Sequence, residues 1–462
     1  MSFFAFLRHK RKQSRQRPGP LRDVSNTPRQ SSVLSIAEKV PPEVLVQIFD
    51  YLTFVDSWEE YRVSAGSTLY DLCLVCQSWS PAATTLLYRD IVIASRRACE
   101  LLDQTLARNT ELCKLVATVN FLPRPWPRPS RRLHEHEEDD WRFLLHDARY
   151  DGNRGLPDDR PSSTACLSIL RRCRNLGGLA VKSFDNHPKF ARFVTFQSLR
   201  STIPHDVHLK SLSLTGDSSQ IHLDALLQFL SSVSCSALEA FELHRYSLAG
   251  SVADWPLAVP PMRHLTLACG ALAVRPSTSA YISFLRLFQD TVTTLALDNI
   301  DLSAFPDLDA ALSGFTALQH ARITVPNSEP TWLFQHPVDL SYLSTLTSLE
   351  LGLNVFTGRS NVCITQFPPK LKRLELASHL RHPDTPFHVG MLLNRWLREH
   401  MRVRAPGLES LDVRICSRRV WDDVARWKIA LFCLAQTCTN VNLRFTPTLW
   451  IAVEQPALDK AL

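Results

Sequence analysis

The sequence predicts an α/β fold: a solenoid whose parallel sheet curves as a horseshoe with outer helices, preceded by a small all-α module. Three observations predict it. The pattern apolar-x-x-apolar-x-apolar recurs ten times between residues 176 and 443. Apolar stripes at three- and four-residue steps, the period of a helix, stand between the recurrences. Ahead of them, residues 40–88 hold three short helical stretches.

Residues 1–35 are polar, basic and broken by Pro18, Pro20 and Pro28. They carry too little apolar surface to offset the entropy of ordering and are expected to form a disordered basic tail. The run Arg8-His-Lys-Arg-Lys12 with Arg15 and Arg17 has the composition of a nuclear-import or acidic-lipid patch, but reads first as a solvated arm.

A helical module is expected over residues 36–93. In Val40-Pro-Pro-Glu-Val-Leu-Val-Gln-Ile-Phe-Asp-Tyr-Leu52 the prolines sit where a helix begins, and Val44, Leu45, Ile48, Phe49 and Leu52 recur on one face. One helix therefore starts at about Pro42. A polar connection through Ser57, Gly66 and Ser67 leads to a second, where Leu69, Leu72, Cys73, Cys76 and Trp79 recur at helical steps; Pro81 opens a third, ending at Leu86-Leu87-Tyr88. Three short helices bury little by themselves, so a partner surface is expected.

The repeat domain is expected over residues 94–462. Its ten units are Leu176/Leu179/Val181, Leu209/Leu212/Leu214, Leu238/Phe241/Leu243, Met262/Leu265/Leu267, Val292/Leu295/Leu297, Leu318/Ala321/Ile323, Leu346/Leu349/Leu351, Leu371/Leu374/Leu376, Leu408/Leu411/Val413 and Cys438/Val441/Leu443. They advance by about 29 residues on average, a period that marks stacked strand–helix units. Helices are predicted between them, for instance at Leu223–Leu230, Tyr281–Phe288 and Trp427–Leu434. An earlier unit, Val116/Val119/Phe121, is separated from its helix at Thr164–Arg172 by a polar insert at about 122–160, expected to be a surface loop.

Composition narrows the function classes. The formal charge of +7 resides in residues 1–30, where eight Lys and Arg face the single acid Asp23; 44 basic and 44 acidic residues remain in the rest. That balance leaves no electrostatic footprint for nucleic acid. The twelve cysteines are scattered through apolar segments, the usage of free thiols in a reducing compartment, and no apolar run is long enough to span a bilayer. Cytoplasm or nucleus is the expected location. There is no GxSxG elbow, phosphate loop or HExxH pair, and neither a catalytic residue nor a cofactor or metal is expected. His134-Glu-His-Glu-Glu-Asp-Asp140 reads as a solvated loop before it reads as a metal site, and Cys73-x-x-Cys76 as packing before redox chemistry.

The block from Val40 to Tyr88 resembles the F-box family. The family's first helix typically reads Leu-Pro-x-Glu-x-Leu-x-x-Ile-Phe-x-x-Leu, matched here by Val40, Pro41, Glu43, Leu45, Ile48, Phe49 and Leu52; its Leu-x-Leu-Val-Cys-x-x-Trp signature is matched by Leu72, Leu74, Val75, Cys76 and Trp79. Val40 replaces the usual leading Leu, and the connection between the two halves is longer than common. The resemblance covers about 50 of the 462 residues. It implies binding to a Skp-type adaptor and through it to a cullin–RING scaffold, so that the chain is the non-catalytic substrate-recognition subunit of an SCF-type ubiquitin ligase. Val40, Pro41, Pro42, Leu45, Ile48, Phe49, Leu52, Leu72, Val75, Cys76 and Trp79 are the candidate adaptor-binding residues, some of them shared with the module's own core. Leu86-Leu87-Tyr88-Arg89 followed by Ile91-Val-Ile93 looks like the F-box proteins of fungal repertoires. The alternative is a repeat scaffold that binds its partner without degrading it.

The repeats resemble degenerate leucine-rich repeats. Where that family places Asn or Cys three residues beyond the last strand apolar position, only Asn354 and Cys416 comply, with Asp217 a substitute. In such an array the residue between the last two apolar positions points onto the concave sheet, because side chains alternate faces. Those residues are Ala180, Ser213, Glu242, Thr266, Ala296, Arg322, Glu350, Glu375, Asp412 and Asn442. Glu350, Glu375 and Asp412 then form a candidate stripe for a basic protein substrate, which the neighbouring Arg373 and Arg414 are expected to neutralise.

Overall fold

The structure, a computed structural model, describes residues 40–53, 69–93, 95–121, 163–182, 196–216, 220–244, 246–250, 258–268, 278–298, 308–324, 338–353, 364–378, 386–417 and 421–451. The expected tail, the connection after α1, the polar insert with its acidic string, and the turn residues Asp217 and Asn354 lie outside the described residues.

Helices α1 (Pro42–Thr53), α2 (residues 69–75) and α3 (Ser80–Arg89) make the N-terminal module. Prolines open two of them: Pro42 begins α1 and Pro81 sits in the first turn of α3, where the missing N–H has no intrahelical partner to lose. Leu45, Phe49, Leu69, Ala82, Ala83 and Leu86 close a core of their own, ringed by the half-buried Val40, Leu72, Cys73, Trp79 and Leu87.

Helix α3 runs directly into β1 (Asp90–Ile93). Residues 90–93, expected within the module, are also the first strand of a twelve-stranded sheet, so module and array share β1. The chain continues through α4 (Arg96–Arg108), α5 (Thr110–Leu115), β2 (Thr118–Phe121), α6 (Ser163–Arg172), β3 (Gly178–Lys182), α7 (Phe196–Thr202), β4 (Ser211–Thr215), β5 (Gln220–His222), α8 (Leu223–Leu230), β6 (Ala240–His244) and β7 (Ser247–Ala249). It goes on with β8 (His264–Ala268), α9 (Thr278–Arg286), β9 (Thr294–Asp298), α10 (Leu308–Ser313), β10 (His320–Ile323), β11 (Val338–Asp339), β12 (Ser348–Gly352), β13 (Ile364–Gln366) and β14 (Arg373–Ser378). It ends with α11 (Pro386–Glu399), α12 (Met401–Arg404), β15 (Ser410–Ser417), α13 (Trp421–Asn440) and β16 (Arg444–Ile451). The main sheet runs β1-β2-β3-β4-β6-β8-β9-β10-β12-β14-β15-β16, every pair parallel; β5 with β7 and β11 with β13 form two small ribbons.

Nine of the ten apolar trios fill the same slots. In Leu346/Leu349/Leu351 the first residue is buried just ahead of the strand and the other two are buried within it, and Leu176/Leu179/Val181 and Leu371/Leu374/Leu376 repeat this. Leu226, Phe229, Phe284, Leu393, Trp396 and Leu434 from the intervening helices pack on those strand residues as one continuous core. Just before each strand a backbone ladder crosses the sheet. Gly177 and Gly178 N–H both donate to Ala117 O, Lys210 and Ser211 to Gly177 O, and the pattern continues to Glu409 and Ser410 on Lys372 O. Backbone geometry is thus regular where turn side chains are not.

The tenth unit departs from expectation. Cys438 lies in the last turn of α13 and Val441 just beyond its end, and the strand begins only at Arg444. Leu443 N–H donates to Cys438 O and Asn442 N–H to Thr439 O, with Asn442 at φ 59°, the two bonds and left-handed residue of a Schellman stop. Apolar residues flanking such a stop mimic the strand pattern. The residue sharing the register of Asp412 is consequently Thr446, not Asn442.

Candidate functional site

The apolar residues of α1 divide by direction. Leu45 and Phe49 are 2% and 1% exposed, whereas Val44 and Ile48 are 42% and 45% exposed. Residues four apart share a helix face, so the two pairs occupy adjacent stripes, one turned inward and one outward. Phe49 meets Trp79 edge-on at 5.3 Å between ring centroids, which fastens α1 to the turn before α3. On α2, Leu74 and Val75 stand 59% and 58% exposed. Pro41 and Pro42 are also exposed, while Val40, Leu72, Cys76 and Trp79 are half-buried. The side chain of Leu52 lies outside the described residues.

Of the eleven residues expected to meet an adaptor, then, Leu45 and Phe49 belong to the interior. Val44 and Leu74, which the expectation omitted, belong to the uncovered surface. Val44 was present in the periodicity and Leu74 in the family signature, but neither gives the direction of the core. Cys73 and Cys76 serve separate neighbours: Cys73 Sγ lies 3.7 Å from Thr84 Oγ1, and Cys76 Sγ 3.1 Å from Ser78 Oγ. Elsewhere burial pushes the Cys173 thiol up to about 12 and the Cys235 thiol up to about 11, the state of unreactive packing residues.

A polar chain ties module to sheet. Arg89 donates from Nη2 to Asp50 Oδ1 of α1 at 2.7 Å and from Nε to Asp90 Oδ2 of β1 at 2.8 Å, and Thr118 Oγ1 of β2 donates to Asp90 Oδ1 at 2.6 Å. The module's last helix and the sheet's first two strands are thereby held in one arrangement.

The second surface is the face of the sheet opposite the helices. Registers place Ala180, Ser213, Glu242, Thr266, Ala296, Arg322, Glu350, Glu375, Asp412 and Thr446 on one row, each beside the next. Glu350, Glu375 and Asp412 do stand on successive strands, as expected, and arginines do share the face. Arg322 forks onto Asp298, Nε to Oδ1 at 3.0 Å and Nη2 to Oδ2 at 2.5 Å, and Thr324 Oγ1 donates to the same carboxylate. Arg373 Nε donates to Asp412 Oδ2 at 2.8 Å, and Arg414 Nη1 lies 2.7 Å from Glu375 Oε1.

Among the described residues Glu350 has neither ion pair nor hydrogen bond. Burial pushes its carboxyl above the usual range, with Arg322 and Arg414 pulling it back. Burial does the same to Glu375, and the nearby Glu350 adds to it. Glu242 is held below the usual range by its hydrogen bond with His244. Among the described residues no three His, Cys, Asp or Glu side chains converge as metal ligands would, and no helix is long and apolar enough to cross a membrane.

Residues 37–94 match the F-box-like family. The three-helix module with its following strand is therefore an F-box-like domain, a class of module that mediates protein–protein interaction and generally binds Skp-type adaptors. No curated protein was matched by the chain.

Proposed function

We propose that this chain is the substrate-recognition subunit of an SCF-type cullin–RING ubiquitin ligase, holding the Skp-type adaptor with its F-box-like domain and a protein substrate with its sheet array. The observation that carries the reading is the uncovered apolar set Val44, Ile48, Leu74 and Val75 on a module whose own core is already closed by Leu45, Phe49, Leu69 and Leu86. Apolar side chains so exposed gain most when helices of a partner cover them. The array is read as an irregular leucine-rich-repeat horseshoe presenting its open face to the substrate. Ubiquitin-transfer chemistry then belongs to other subunits, and this chain acts by raising the local concentration of substrate. A cytoplasmic or nuclear setting accompanies the reading.

The test is capture of purified adaptor and cullin by wild type and by an Ile48→Asp/Val75→Asp variant. Both substitutions fall on exposed positions, so helix content should be unchanged while capture falls by at least about tenfold, roughly 1.4 kcal/mol. A wild type that captures neither protein, or a variant that captures both equally, overturns the reading. Capture of adaptor without cullin would leave a scaffold outside a ligase.

A further inference from the structure

We propose that the open face across β10, β12, β14 and β15 docks a partner segment presenting one arginine or lysine side chain to Glu350. The proposal names the substrate chemistry for the receptor reading above and rests on it.

Four carboxylates, Asp298, Glu350, Glu375 and Asp412, share this region with three guanidiniums, Arg322, Arg373 and Arg414. Pairing uses every guanidinium: Arg322 holds Asp298, Arg373 bridges Asp412 and Glu375, and Arg414 meets Glu375. Glu350 is the carboxylate left over. It stands in direct register with Glu375 on the adjoining strand, roughly 5 Å away by the spacing of a sheet.

Glu375 beside it is already paired: its side chain is only 9% exposed, and its oxygens meet Arg414 Nη1 at 2.7 Å and Arg373 Nη2 at 3.5 Å. The cluster thus lacks one positive charge, and Glu350 lacks an N–H donor. A guanidinium supplies both through its planar fork, and a lysine ammonium supplies the charge with fewer fixed donors. A neutral segment leaves Glu350 uncompensated, and an acidic one is repelled. The fold does not account for Glu350: burial penalises its charge, the pull of Arg322 and Arg414 offsets that penalty only in part, and such residues concentrate where a ligand supplies the missing group.

The purified full chain is applied to pools of ten-residue peptides, random except at a central position fixed as Arg, Lys, Gln or Glu. Retention on the Arg and Lys pools should exceed the Gln pool by about tenfold, with Glu lowest; Glu350→Gln should erase the preference and Glu350→Asp keep most of it. Equal retention on all four pools, or a preference that survives Glu350→Gln, overturns the proposal. A melting-temperature rise with magnesium or calcium alone that Glu350→Gln abolishes, without peptide preference, overturns it too, since the pair would then serve a metal. Adaptor capture is measured on the same samples. Wild type that binds adaptor without peptide preference defeats only this inference, and peptide preference without adaptor capture defeats only the ligase reading.

Discussion

Val44 and Ile48 differ from Leu45 and Phe49 in nothing that a helical wheel registers strongly, yet the first pair is exposed and the second is the heart of the module. What separates them is the position of Trp79 and α3, which cover one stripe and leave the other. The same scale decides Glu350. Its carboxyl is raised in the folded protein, so folding favours the protonated form. That form's advantage is present below the ordinary carboxylate pKa and is lost as pH rises through the ordinary value toward the raised one. Glu350→Gln, which cannot ionise, should therefore melt ~1–2 °C higher than wild type at pH 7, and the gain should vanish near pH 4. A variant that melts lower at pH 7 by calorimetry would show that Glu350 has a stabilising partner.

Among elements, α13 shows how a stop signal can imitate a strand. Cys438, Val441 and Leu443 repeat the apolar spacing of the nine earlier units, but the backbone closes into the Schellman bonds at Asn442 before β16 begins. Asparagine tolerates the left-handed conformation and a β-branched residue does not, so Asn442→Val should cost about 1–2 kcal/mol in urea unfolding, whereas Asn442→Gly should be neutral or slightly stabilising. Equal stabilities for Val and Gly would contradict the assigned turn. Close approach is set in the same region by Gly390, where an added Cβ would come within 2.9 Å of Ala430 Cβ across the α11–α13 contact.

At the scale of the whole molecule, a twelve-stranded parallel sheet must manage its ends. Among the described residues, β16 pairs only with β15. Arg444 N–H donates to Glu409 O, so the alternate residues Phe445, Pro447, Leu449 and Ile451 turn their backbone groups to the free edge. Pro447 removes a donor from the middle of that row, the usual means of blunting an edge against pairing with another chain. Pro447→Val should restore the row and promote self-association at ~100 µM, visible as a rising weight-average mass in sedimentation velocity. A variant as monodisperse as wild type would mean that the edge is guarded by something else. At the other end, Arg89 bridges Asp50 and Asp90 and makes the F-box-like domain continuous with the sheet.

The sequence by itself determined the helical module with its F-box-like motif and the parallel strand units between residues 116 and 413. These follow from local periodicity and from residue types at fixed spacing, which a chain carries whatever surrounds it. Only the tertiary structure decided which stripe of α1 faces out, that residues 90–93 belong to the sheet, that Thr446 replaces Asn442 on the open row, and that three arginines leave Glu350 alone among four carboxylates. Each of those outcomes depends on which residues distant in sequence come to lie side by side, and burial and ion pairing act over a few ångströms of space without regard to separation along the chain.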